Sequence, residues 1–199
     1  MGRVIAVVGN SGTGKTTLVR ALAQSGDYFT GLESHVERPY QALFARDLQG
    51  YALPNQLDYL LYRAEQEQEI RRQPLPGLQD GGLDFDFQVF TRYFYRQGYL
   101  DAAGFGLCTR LYGMLRSLLP PPDLLVYLQA PPEIAAERMR IRSRGLEIAR
   151  ADDLLALQAL LESWLAETSL PVVRVDASVE DPGYTDCLPD LMRAINALV

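Results

Sequence analysis

Arg3-Val4-Ile5-Ala6-Val7-Val8 is a short, apolar, β-branched run, and Asp123-Leu124-Leu125-Val126-Tyr127-Leu128 is a second that is nearly continuous. Neither alternates with polar residues, so both suit strands buried on both faces of a parallel sheet. Tyr28–Leu32, Leu75–Gln79 and Val172–Val175 read as three further strands, the middle one weakened by Pro76 and Gly77. Between these runs the period becomes helical. Thr17 to Ala23 predicts one helix and Pro39 to Ala45 a short one, with a turn at Asp47-Leu48-Gln49-Gly50. Leu53, Leu57, Leu60, Leu61 and Ala64 predict a helix from Tyr51 to about Arg72, stopped by Pro74 and Pro76. Leu83, Phe87, Phe90 and Phe94 mark an aromatic-rich helix, and Leu100–Leu119 another, closed by Pro120-Pro121-Pro122. The helix from Pro131 to about Arg144 opens on Pro-Pro-Glu. Asp152–Glu167 turns Leu154, Leu157, Leu161, Trp164 and Leu165 inward, and Tyr184–Val199 holds a closing helix. Strands alternating with helices predict an α/β fold, a five-stranded parallel sheet with helices on both faces.

Length adds that residues 1–199 suit a single domain with a sizeable core. A net charge of −6 argues against a nucleic-acid partner, which calls for a basic surface. The two cysteines, Cys108 and Cys187, make neither a disulfide framework nor a zinc signature. No stretch approaches the ~20 apolar residues of a membrane span, and the first apolar run is too short for a secretory leader. The expectation is a cytoplasmic protein with no membrane or nucleic-acid partner.

The first run leads directly into Gly9-Asn10-Ser11-Gly12-Thr13-Gly14-Lys15-Thr16, then into the helix that Thr17 opens. This fits G-x-x-x-x-G-K-[ST], the phosphate-cradling P-loop, in the strand-then-helix context the motif requires. Glycines let the backbone turn and aim its N–H groups inward, and the helix N-terminus adds partial positive charge. Residues 9–17 are the phosphate-binding candidates, with Lys15 for the β- and γ-phosphates and Thr16 for magnesium. The pattern implies a nucleoside triphosphate and leaves the phosphate acceptor open.

Other residues narrow the acceptor. Ligands sit beyond the carboxyl ends of strands in open α/β sheets, which puts Glu33 and Asp80 at that edge. Asp80 is a candidate to hold magnesium beside Thr16, its bland alternative being a turn aspartate before Gly-Gly. Gln56 and Arg63, seven residues apart, share one helix face; as polar residues both could equally be exposed. Asp86 and Phe90 lie one turn apart, a carboxylate beside a ring, which suits a flat polar ligand such as a nucleobase. Arg138, Arg140, Arg142 and Arg144 are four arginines in seven residues of an acidic chain, a candidate phosphate clamp that would also stabilise charge during phosphoryl transfer.

Taken together, these segments resemble the deoxyribonucleoside kinases over nearly the whole chain, in particular the bacterial deoxyadenosine/deoxyguanosine kinases and deoxycytidine kinase. Glu33-Ser34-His35-Val36-Glu37-Arg38-Pro39-Tyr40 looks like the segment that begins with the family's catalytic Glu, and Gln56 in Tyr-Ala-Leu-Pro-Asn-Gln like the base-binding Gln. Arg63 and Asp86 match the pair of members that accept purines or cytosine, and Phe90 their stacking Phe. Arg140-Ile141-Arg142-Ser143-Arg144-Gly145-Leu146-Glu147 looks like the arginine-rich lid, here about 138–148. The resemblance implies a P-loop kinase fold, ATP and Mg²⁺, and 5′-phosphorylation of a deoxynucleoside in nucleotide salvage. It makes Glu33, Lys15, Arg140 and Arg144 catalytic, adds Arg142 to the phosphate-binding set, and gives Gln56, Arg63, Asp86, Phe90 and Glu147 to the nucleoside. It also implies a homodimer, or a heterodimer with a related kinase.

Three positions depart from the family pattern. Gly81 stands where the family has an arginine, Ala45 where it has the tyrosine for the sugar 3′-hydroxyl, and Ile148 where the lid has a second Glu. Each lost hydrogen bond costs about 1–3 kcal/mol, which implies weakened sugar binding. The alternatives are a thymidylate-type monophosphate kinase, whose acceptor phosphate needs arginines that Gly81-Gly82 do not supply, and a low-activity regulatory subunit paired with an active kinase. No Asn-Lys-x-Asp segment supports a signalling GTPase.

Overall fold

The strands meet as one parallel sheet in a computed structural model that describes residues 2–31, 38–142, 153–179, 181 and 183–197. In chain order the strands are β1 (Val4–Gly9), β2 (Phe29–Gly31), β3 (Gly77–Asp80), β4 (Leu124–Gln129) and β5 (Val172–Asp176). Their order across the sheet is β2-β3-β1-β4-β5, all parallel, with Val7 beside Asp80 on one flank and Val126 on the other. The helices are α1 (Lys15–Ser25), α2 (Gln41–Arg46), α3 (Leu48–Arg72), α4 (Leu83–Phe85), α5 (Arg92–Arg96), α6 (Ala102–Leu118), α7 (Pro132–Arg142), α8 (Leu154–Glu167) and α9 (Leu188–Asn196).

The central strands are apolar throughout because each face has its own core. Ile5 and Val7 of β1 pack with α1 and α9 through Leu18, Leu22, Leu191 and Ile195. Ala6 and Val8 look the other way, into Ala52, Leu60, Phe94, Leu157 and Leu161 of the helices on the opposite face. The period of two along the strand thus sorts one run into two layers. Polypeptide leaves β1 toward β2 and β3 on one side, then crosses to β4 and β5 on the other. The crevice for a ligand opens at that switch, at the carboxyl ends of β1 and β3.

Four elements differ from the pattern-based reading. Asp47-Leu48-Gln49-Gly50 is the start of α3, not a turn: the Asp47 side chain accepts from the Gly50 N–H at 2.9 Å and caps the helix. Along α3 the buried stripe is largely polar. Gln56 and Arg63 are 1% and 5% exposed, while Leu61 is 45% exposed. Strand β3 begins at Gly77, after Pro74 and Pro76, and runs through Asp80. The aromatic-rich helix widens into a π turn over Asp86–Thr91 between α4 and α5, a form frequent at functional sites.

Buried charge ties α3 to the helices beside it. Arg116 of α6 donates from Nη1 and Nη2 to the Glu67 carboxylate at 2.9 and 2.7 Å, and from Nε to Asp84 Oδ1 at 3.0 Å. The Tyr112 hydroxyl donates to the same Asp84 oxygen at 2.6 Å. Arg116→Met would leave enclosed Asp84 without its cation and Glu67 with only Arg71, at 4.0 Å. It should lower the unfolding free energy by about 3–5 kcal/mol, measured by urea titration.

Candidate active site

Backbone turns at Gly12 (φ +81°) and Gly14 (φ +97°) shape the loop after β1. At Gly12 there is no room for a side chain, since a Cβ would lie 2.3 Å from the Ala135 carbonyl oxygen. The Thr13 hydroxyl donates to the Asn10 carbonyl at 2.8 Å. Lys15 Nζ donates to the Gly9 and Asn10 carbonyls, each at 3.0 Å, and lies 5.7 Å from the centre of the Phe85 ring. Asn10 holds the loop from outside: its amide accepts from Ser11 N–H at 3.0 Å and donates to the Leu154 carbonyl at 2.8 Å. Gln158, at 3.3 Å from Asn10 Nδ2, carries this link on to Tyr127.

Two oxygen donors meet at the edge of the loop. Thr16 Oγ1 donates to Asp80 Oδ2 at 2.5 Å, joining the first turn of α1 to the end of β3. A hydroxyl and a carboxylate side by side suit a magnesium ion, which takes one or two protein carboxylates and completes its shell from phosphates and water. Among the described residues no group of three or more His, Cys, Asp or Glu gathers into a separate metal site.

The acceptor candidates come together around Arg63. Its Nε donates to Asp86 Oδ2 at 2.6 Å, and its Nη1 donates to the Asp80 carbonyl at 2.8 Å and to Gln66 Oε1 at 3.1 Å. Gln56 Nε2 lies 3.4 Å from the Asp86 carbonyl, which also accepts from the Thr91 hydroxyl at 3.2 Å. Phe90, part-buried, stands edge-on to Phe85 with ring centres 5.5 Å apart. Gly81 has φ +88°, and a Cβ there would sit 3.2 Å from Arg63 Nη2. Gly81-Gly82 thus lets Arg63 come close under the loop. Ala45 is on the exposed side of α2.

The arginine run divides. Arg138 donates from Nη1 to the Ala177 carbonyl at 2.6 Å, while Arg140 reaches solvent and pairs with Glu137 one turn back at 2.6 Å. Glu33, Arg144, Glu147, Ile148 and the Arg142 side chain lie outside the described residues. Arg138 helps line a cavity of about 160 Å³ with Thr13, Gly14, Thr17, Val179, Asp181 and Tyr184. Sequence reasoning missed Tyr184, whose hydroxyl donates to the Gly14 carbonyl at 3.3 Å across 170 residues. No periodicity or motif carries a signal over that separation.

Asn55 was also missed. It is 1% exposed, and among the described residues neither its Oδ1 nor its Nδ2 has a hydrogen-bond partner. Such a group costs about 1–3 kcal/mol if left unmade. A rule that polar residues of a helix face outward gave no reason to single it out.

Gly81→Arg would restore the residue expected from the resemblance but force a side chain onto positive φ and against Arg63. It should cost about 1–3 kcal/mol of stability, read as a lower melting temperature. Burial also pushes the phenols of Tyr127 and Tyr184 up to about 12 from an ordinary value of 10, Tyr127 with help from Glu162. These tyrosines hold their protons longer folded than unfolded, so their contribution is complete below pH 10 and is lost as pH rises toward 12. Melting temperatures between pH 8 and 12 should fall above 10, less steeply in Tyr184→Phe.

Residues 5–199 match the sequence profile described as Deoxynucleoside kinase. The chain is 31% identical over 182 residues to the deoxyadenosine kinase of Dictyostelium discoideum, covering 89% of this chain and 73% of that one. It is 24% identical over 176 residues to the deoxyadenosine/deoxycytidine kinase of Bacillus subtilis, covering 86% and 81%. The fold superimposes on the solved deoxyadenosine kinase of M. mycoides, with its dCMP and dCDP products, at a TM-score of 0.84, 21% identity and coverage of 98% and 99%. The P-loop beside Asp80, the Arg63–Asp86 pair and this profile together establish that the chain belongs to the deoxynucleoside kinase family of phosphotransferases.

Proposed function

We propose that this chain transfers the γ-phosphate of ATP to the 5′-hydroxyl of a deoxynucleoside whose base bears an exocyclic amine: deoxyadenosine, deoxyguanosine or deoxycytidine. One observation carries the reading. Arg63 bridges Asp86 and the backbone of Asp80, so the acceptor-reading carboxylate is tied directly to the phosphate end of the sheet. Held by Arg63, Asp86 is kept as an acceptor for a base amine, and Gln56 offers an amide with both donor and acceptor to the base edge. Phe90 supplies a ring for stacking.

Thr16 and Asp80 are the residues that would hold Mg²⁺. When bound, the ion neutralises charge on the β- and γ-phosphate oxygens. The loop N–H groups and the start of α1 receive the phosphates, and Lys15 swings from the Gly9 and Asn10 carbonyls onto them. Glu33 accepts the proton of the 5′-hydroxyl as that oxygen bonds to the γ-phosphorus. The bond from γ-phosphorus to the bridging oxygen breaks, and ADP leaves with the electron pair. Arg140, Arg142 and Arg144 balance the charge that spreads over the transferred phosphoryl group, and Glu147 serves the sugar. The cavity beside Thr17, Arg138 and Tyr184 takes the base of the donor.

A monophosphate acceptor would need its own cations beside Asp80. Arg63 is committed there to Asp86, Gln66 and a carbonyl, and Gly81 and Gly82 supply no charge. Apolar Leu107, Met114 and Leu118 along the outer side of α6 suit pairing with a second copy or a related kinase. Among the described residues no helix is long and apolar enough to cross a membrane, which suits work in the cytoplasm.

Purified protein with ATP and Mg²⁺ should phosphorylate one or more of the three amine-bearing deoxynucleosides and thymidine least. Glu33→Gln should lower kcat by about 10²- to 10⁴-fold while nucleoside still raises the melting temperature. Turnover of deoxynucleoside monophosphates alone would overturn the reading.

A further inference from the structure

Among the described residues Tyr184 is the one non-glycine with a left-handed backbone, at φ +50°. A bulky side chain seldom takes that region, and such strain persists where the surroundings over-determine it, as they do at functional sites. Here they do so on both sides of the residue. The Asp181 carboxylate accepts from the Gly183 N–H at 3.0 Å, and from the Thr185 N–H and hydroxyl at 2.7 and 3.0 Å. The Tyr184 carbonyl accepts from the Leu188 N–H at 2.9 Å, which ties the turn to the start of α9. The side chain held in this way is 8% exposed and reaches the loop after β1, where its hydroxyl donates to the Gly14 carbonyl at 3.3 Å. Only glycine admits it so close: a Cβ on Gly14 would lie 2.5 Å from the phenol oxygen.

We propose that Tyr184 is a positioning residue for the phosphate cradle, acting through the peptide that joins Gly14 to Lys15. That peptide is trans, so it is planar and its C=O and N–H point in opposite directions. The carbonyl points along α1, to the Leu18 N–H at 3.0 Å and to the phenol. The Lys15 N–H therefore points back out of the start of α1, where a helix receives phosphate. Gly14, at φ +97° and without a side chain, is the most freely rotating residue of the loop and leaves this peptide to outside restraint. By fixing the carbonyl, the phenol fixes the direction of the Lys15 N–H. The inference rests on the phosphate reading of residues 9–17 above and is independent of the acceptor. Tyr184 also lines the cavity beside Arg138, so the competing role is contact with the donor base, which a donor without a base separates from it.

The test is Tyr184→Phe, which keeps the ring against the cavity and removes one hydroxyl. It leaves no buried group unpaired, since the Gly14 carbonyl keeps the Leu18 N–H, so the ligand-free melting temperature should fall by no more than about 4 °C. Two ligands are compared in the presence of Mg²⁺: ATP as donor, and inorganic tripolyphosphate, which carries the phosphates and no base, as its competitor. KM for ATP and the inhibition constant of tripolyphosphate should rise together by about 3- to 10-fold, with KM for the deoxynucleoside changed by less than about 2-fold. A rise for ATP alone overturns the inference and gives the phenol to the base. Constants that stay at wild-type values overturn it too, leaving the contact a structural one, as does a KM for the deoxynucleoside that rises as much as that for ATP. Wild-type protein that binds ATP but not tripolyphosphate overturns the inference alone, by placing the donor's affinity in its base. Wild-type protein that binds neither overturns the phosphate reading of the loop, and the inference with it.

Discussion

The ion pair between Arg63 and Asp86 is the constraint on which the proposed acceptor side depends. At 2.6 Å and nearly sealed from solvent, it is expensive to desolvate, and only good geometry with every remaining donor occupied offsets that cost. The guanidinium meets the condition by reaching Gln66 and the Asp80 carbonyl as well. That second contact matters most, because Asp80 also receives the Thr16 hydroxyl. Three bonds in series therefore connect the π turn, α3, β3 and α1. One helical turn along α3, Glu67 repeats the device through Arg116 and Asp84. Buried pairs of this kind fix one arrangement of helices more than they add stability.

The parallel sheet gives the chemistry its place. A strand covered on both faces cannot offer a side chain to a ligand along its length, so functional groups collect where strands end. Asp80 is the last residue of β3, level with Val7 of β1, and the loop that follows Gly9 rises beside it. Hydrophobic layering and site location are two results of the same apolar run. Asn10 adds a tie in the other direction, from the loop to the start of α8.

Much of this is legible in the residues alone. The P-loop is a local pattern whose context is also local, and unbroken apolar runs mark strands with two covered faces. Gln56 and Arg63 share a face through their spacing alone. Their burial was not readable, since Leu53, Leu57 and Leu61 advertise a different face of the helix, which the fold leaves partly in water. Asp47 and Gly50 signal a turn and a helix cap in the same letters; tertiary packing of α2 on α3 decides. The π turn is hidden because Leu83, Phe85, Phe87, Val89, Tyr93 and Phe94 are all buried, and apolar residues on every side leave no single stripe to be broken. Contacts such as Tyr184 with Gly14 belong to the assembled fold only.

The far end of α3 has its own anchor. Arg71 donates to Asp123 Oδ2 at 2.7 Å and to the Pro121 and Gly2 carbonyls at 2.7 and 3.2 Å, at the opposite edge of the sheet from the site. A helix of 25 residues is about 37 Å long, so α3 is a strut bolted at both ends, with the proposed nucleoside readers near one bolt. Such a member transmits rather than absorbs displacement. Damage at the Arg71 foot, roughly 20 Å from Gln56 along the axis, would reach the proposed base-reading side as a tilt of the whole rod.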